Sequence, residues 1–259
     1  MLEGLIVSIG VFFLIGLITL AGARYTVYID SPRALIGAYI LFLTLAQFFA
    51  AKIASFDFGF IAVVAPVGVI VFPFTLQITD MVNERFGRRK VYEMIWIALA
   101  SQICMVVLLL LATMLPMAFP DPDPLASFAI VPSITMASWI AFLVSERFDA
   151  WIYDLIRGWI DSQAEWYKYL WIRNVVSDIL SLALDSMIFV PLAFNLLPNA
   201  LGAIDPAALN LVTPWDVIMT LIIGQIIAKW FLGLIDTPFM YLTRWIYELS
   251  PSKTTYTDT

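Results

Sequence analysis

Runs of about twenty apolar residues recur along the chain, each broken by a short polar segment. A helix rising 1.5 Å per residue needs about twenty such residues to cross roughly 30 Å of hydrocarbon. The pattern predicts an all-α, polytopic membrane helix bundle of seven spans, at about 4–22, 34–52, 59–83, 91–117, 132–156, 170–194 and 214–241. Ala21-Gly22-Ala23 resembles a signal-peptidase site, yet Glu3 stands where a basic n-region belongs, so the first span is expected to be retained. Residues 1–249 read as a single transmembrane domain, and the polar stretch 250–259 after Ser250-Pro251 as a disordered cytoplasmic tail.

Polar residues interrupt three spans in helical register. Pro73, Gln77, Asp80 and Glu84 follow i, i+4, i+7, i+11, and Asn174, Asp178, Ser181 and Asp185 repeat that spacing. Gln225, Lys229 and Asp236 follow i, i+4, i+11. Each set stacks along one helix face, so three facing stripes would line a polar cavity. A charged side chain at mid-bilayer costs about 2.5–3.5 kcal/mol on insertion scales, so each demands a reason. Glu84 beside Arg85, and Asp236, read as interfacial. Asp178 and Lys229 fall at similar depth and could form a structural ion pair. Asp185 lies about 21 Å into its span with no obvious basic residue level with it, which favours a functional role. Pro66, Pro73, Pro191 and Pro238 fall inside spans, where each removes a backbone hydrogen bond and can bend a helix.

Charge in the connections adds a direction. Arg85, Arg88, Arg89 and Lys90 crowd the third connection, and Arg147, Arg157, Lys168 and Arg173 the fifth. The fourth and sixth carry neither Lys nor Arg, and the tail has Arg244 and Lys253. The positive-inside rule then puts the third and fifth connections and the C-terminus in the cytoplasm, with the N-terminus outside a plasma membrane. Trp151, Trp159, Trp166, Trp171 and Trp245 cluster near the same ends, where amphipathic rings favour the headgroup level.

Composition narrows the chemistry. Apolar residues make up 62% of the 259 residues and charged ones 13%, with a mean hydropathy of +0.91. That is more apolar surface than one soluble core can hide. The net charge of −6 and the lack of a basic stripe argue against nucleic acid. One cysteine, Cys104, excludes an internal disulfide and reads as a small core residue. The absence of histidine removes the familiar zinc sites and imidazole catalysis, so neither metal nor cofactor is expected.

At the third span the chain resembles a known family. Pro66-Val67-Gly68-Val69-Ile70-Val71-Phe72-Pro73-Phe74, then Asp80, then Asn83-Glu84-Arg85-Phe86-Gly87 is similar to the signature of the VUT family. These are the vitamin-uptake-like transporters associated with queuosine precursors. Upstream, Ala46-Gln47-Phe48-Phe49-Ala50-Ala51-Lys52 fits the same pattern, with Gln47 where many members carry Asn. Downstream, Asp185-Ser186-Met187-Ile188-Phe189, Ala193-Phe194 and Ala228-Lys229 match its last two spans. The resemblance covers roughly residues 34–245, leaving 4–22 as an extra N-terminal helix outside a six-helix core.

The resemblance implies import of a 7-deazaguanine base such as preQ0 or preQ1, with a site between spans two, three, six and seven. A deazaguanine presents an amide N–H and an exocyclic amine beside a carbonyl. A carboxylate accepts such paired donors well, which suits Asp185 or Asp80, and Lys229 or Lys52 could meet the carbonyl. Gln47 and Gln77 add amides, and Phe48, Phe72, Phe74 and Trp230 could stack on the ring. Burial disfavours a charged carboxylate, so Asp80 or Asp185 could also carry a coupling proton. The partners expected are a purine-like small molecule and the lipid bilayer, with room for self-association.

Two other functions compete. One is a passive binding subunit of an energy-coupling-factor-type transporter, driven by an ATPase partner. The other is an intramembrane aspartyl enzyme. Asp178 and Asp185 lie about 10 Å apart along one helix, too far for a shared-proton dyad, so no enzymatic role is expected.

Overall fold

The computed structural model describes residues 2–57, 61–115, 125, 128–160, 170–203 and 206–248. It divides into two compact units, residues 1–128 with 231–259, and residues 129–230. The predicted tail 250–259 and the Pro120–Pro124 segment lie outside the described residues.

The first unit opens with α1 (Leu2–Ile29). Asp30 ends it with a φ of 48°, a left-handed conformation that Asp tolerates better than most residues. Pro32 then leads into α2 (Arg33–Ala50), which buries Leu35, Tyr39, Phe42, Gln47 and Ala50. Phe12, Ile15, Thr19, Ala23 and Thr26 are buried along one face of α1. The Phe12 ring meets Phe74 at 4.8 Å and Phe239 at 6.2 Å, so this helix is built into the unit's packing.

The third span is not one helix. Its first part, β2 (Ala62–Pro66), pairs antiparallel with β1 (Ile53–Asp57) from the connection before it, in register from Ile53↔Pro66 to Asp57↔Ala62. The reason is legible locally. Ile53, Phe56, Val63 and Val64 favour extended backbone, and Val63 and Ala65 are buried two apart on β2. A 3₁₀ turn (Val67–Ile70) follows, held by Val67 N–H donating to Lys52 C=O at 2.8 Å. Gly68 is required there, because a Cβ would stand 2.5 Å from the Ala46 carbonyl oxygen on α2. Only then does α3 (Phe72–Phe86) begin, with Pro73 in its first turn. Pro73 therefore starts a helix, where its missing N–H costs nothing, instead of kinking one. Pro66 likewise closes a strand. Gly87, at φ 80°, separates α3 from α4 (Arg88–Thr113).

The outer face of α4 exposes Trp96, Ile103, Val107, Leu108 and Leu111, the kind of surface that hydrocarbon covers. Cys104 is on that exposed side and is not a core residue.

The second unit contains α5 (Val131–Ile160) and α6 (Leu170–Pro191). Ile134, Ala137, Ala141 and Ser145 are buried at i, i+3, i+7 and i+11 on α5, a mostly small-residue face that lets α6 approach closely. Pro191 ends the α-helical bonding of α6, and one π-helical turn (Leu192–Leu196) continues into α7 (Leu197–Leu201). A 3₁₀ turn (Pro206–Leu211) precedes α8 (Trp215–Glu248), whose residues to Trp230 belong to this unit and the remainder to the first.

Five helical stretches are long and apolar enough to cross a membrane: Gly10–Ile29, Arg33–Ala50, Arg89–Thr113, Ile179–Leu201 and Trp215–Ile235. Val67–Asn83 and Val131–Ser145 are shorter apolar helices. The protein is thus an all-α polytopic membrane protein with one small hairpin.

Candidate functional site

In the second unit α6 places Asp185 and α8 places Lys229. The Lys229 ammonium donates to Asp185 Oδ2, with the two residues 2% and 6% exposed. This overturns one expectation: Asp185 has a basic residue level with it, Lys229. The Asp178 and Asn174 side chains lie outside the described residues, as do those of Glu84 and Asp236.

The pairing follows from helix registration. Trp230 follows Lys229, and its indole N–H donates to the Ile179 carbonyl on α6 at 3.1 Å, pinning the two helices beside the ion pair. Ser186 returns its hydroxyl to the Leu182 carbonyl at 2.9 Å. Farther along, the Phe194 carbonyl accepts from Thr213 N–H at 2.7 Å, and Asn195 Nδ2 donates to Thr213 C=O at 2.8 Å. The π turn is thereby strapped to the segment that enters α8. Asn195 and Asn199, joined at 3.3 Å, had no place in the sequence expectation. Their only signal was two amides flanking Pro198 in an otherwise apolar run.

Gln225 lies one turn before Lys229 on α8. It is 5% exposed, and its Oε1 has no hydrogen-bond partner among the described residues. The unit thus encloses a carboxylate, an ammonium and an open amide acceptor among Leu221, Ala228, Phe189 and Val190. Burying an ion pair contributes little net stability relative to apolar packing, and an unmet acceptor detracts from it. Such a cluster is costly as architecture alone. Its groups are a cation donor, an anion acceptor and an amide acceptor.

In the first unit the remaining expected residues divide by burial. Gln47 and Gln77 are each 3% exposed, and neither Oε1 nor Nε2 of Gln77 has a hydrogen-bond partner among the described residues. Phe48 is half-buried and edge-on to Phe128 at 5.1 Å, and Phe72 is half-buried. Asp80, expected to face the interior, is exposed, as is Lys52 at the foot of the hairpin. Phe74 is fully buried in the ring cluster with Phe12 and Phe239, so it packs α3 and offers no stacking face. Trp230 is partly exposed.

Arg85 does more than sit at an interface. Its guanidinium bonds Asp30 at 3.1 Å and lies 5.4 Å from the Tyr247 ring, with its side chain 5% exposed. It ties the ends of α1, α3 and α8 together. Among the described residues no group of three or more Asp, Glu or Cys side chains is placed to hold a metal.

A family model described as "Putative vitamin uptake transporter" matches residues 66–243. A curated relative from Bacillus subtilis (strain 168), named "Probable queuosine precursor transporter", is 24% identical over 183 residues, covering 70% of this chain and 72% of the relative. No solved structure matches the chain. The matched region contains α3, the Asp185–Lys229 pair and Gln225, and it leaves α1 and α2 outside.

Proposed function

Because the chain belongs to the vitamin uptake transporter family, a family of membrane transporters, we propose that it imports a 7-deazaguanine-type queuosine precursor, such as preQ0 or preQ1. The observation that carries this reading is the buried Asp185–Lys229 pair, held on two apolar helices where charge has no structural necessity. The name of the Bacillus relative points to the same substrate class. Asp185 accepts the ring N–H and exocyclic amine of the base, and Lys229 serves its carbonyl. Gln77, a buried amide with neither end partnered among the described residues, meets the substrate during its passage.

The membrane is the plasma membrane, with the N-terminus outside and the basic connections around Arg89 and Arg147 in the cytoplasm, a reading that the charge asymmetry supports. Residues 250–259 would then follow on the cytoplasmic side. The test is uptake of labelled preQ0 and preQ1 into a host lacking its own importer, followed by uptake into liposomes containing only this protein. Saturable import in both, not competed by vitamins, is expected. Import that needs an added ATPase would replace secondary import with a binding-subunit role, and absence of import in cells would sink the reading.

A further inference from the structure

The open carbonyl of Gln225 has a specific neighbour. Gln225 and Lys229 are four residues apart on α8, so their Cβ atoms lie about 5–6 Å apart on one helix face. Lysine carries its charge on a flexible four-carbon stem with three donors. In the described state that stem directs the ammonium to Asp185, and the Gln225 oxygen goes unmet. A buried acceptor left unsatisfied is a penalty that a partner in another state would relieve.

We propose that Gln225 is the second resting place of the Lys229 ammonium. In the empty protein Lys229 closes on Asp185 and keeps the carboxylate neutralised. When donors of an incoming molecule take Asp185, the ammonium moves back one turn to the Gln225 oxygen. The charge never leaves the company of an oxygen acceptor, and no proton has to be gained or lost. Gln225 is then a positioning residue that sets how readily Asp185 is released. The ligand-linked part of this step rests on the transport reading above; the relay itself is a property of the empty protein.

The experiment is designed to separate the two. First, the melting temperature of the ligand-free protein in detergent is measured for Asp185→Leu, Gln225→Met and the double variant. Two acceptors serving one ammonium must be coupled. The double variant should lose more than the sum of the single changes, by roughly 2–4 °C. Additive shifts would overturn the relay whatever the protein transports. Second, preQ0 affinity is measured by ligand-induced stabilisation. Gln225→Met should weaken it roughly five- to tenfold, the size of one lost hydrogen bond, while the empty protein melts at the native temperature or above. Gln225→Glu, which retains an acceptor oxygen, should restore the affinity. Native preQ0 affinity in Gln225→Met would overturn the ligand-linked step. If the unaltered protein does not bind preQ0, the substrate reading fails, and the coupling measurement still decides the relay.

Discussion

Two ion pairs, one in each unit, differ chiefly in how much water reaches them. Asp185–Lys229 joins α6 to α8 in the second unit, with both partners almost entirely buried. Arg85–Asp30 joins α3 to the end of α1 in the first, with Arg85 buried against Tyr247 and Asp30 a third exposed. Water can screen and replace the second pair; it reaches the first poorly. Arg85–Asp30 therefore behaves as a clasp at the helix ends, where an extended cation finds an aromatic face and an anion together. Asp185–Lys229 holds charge where packing alone would be as stable, which is why the proposed site is built on it.

The largest test of that contrast is Lys229→Met. It leaves the Asp185 carboxylate buried without its ammonium, and should destabilise the protein by about 3–5 kcal/mol and abolish uptake. The partner experiment is Lys229→Met with Asp185→Leu, which should recover most of the thermal stability and none of the uptake. Recovery of uptake with stability would show the pair to be structural.

Gln77→Leu comes next and should act in opposite directions on the two readouts. Removing a buried amide with both ends unmet should raise the melting temperature, the group's penalty being about 1–3 kcal/mol. Uptake should fall roughly tenfold if the amide serves the substrate, a factor worth about 1.4 kcal/mol. Unchanged uptake would remove Gln77 from the transport path.

Arg85→Met should cost about 1–2 kcal/mol, because the exposure of Asp30 limits what the lost bond was contributing. Uptake per folded molecule should hold. A turnover defect at native abundance would mean that the clasp opens during transport.

Cys104→Ser should be nearly silent, within about 0.5 kcal/mol, because the residue is exposed. It provides the background for single cysteines at Ser127, Ala207 and Arg89. The first two should label from outside intact cells and the third should not; labelling at Arg89 from outside would reverse the orientation.

Much of the molecule was written in local pattern. Apolar runs long enough to span hydrocarbon are a property of consecutive residues, so the membrane class and the positions of most helices follow from the chain itself. The helical spacing of Gln225 and Lys229 likewise put them on one face before any packing was known. The family signature around Asn83–Gly87 and the match at Asp185 and Lys229 also needed only sequence.

The hairpin was missed because an apolar run of that length reads equally as a buried helix; the β-branched Val63 and Val64 were the quieter signal. Which charge meets which lay beyond sequence altogether. Depth counted along each span left Asp185 without a level basic residue. The registration of α6 on α8, with the Trp230 bond to Ile179, brings it level with Lys229. In the same way only packing could show that α1 is buried against Phe74 and Phe239, or that Asp80 is exposed while Gln77 on the same helix is not. Periodicity assigns a residue to a face; the neighbour that covers that face, and at what depth, is decided by side chains distant in sequence.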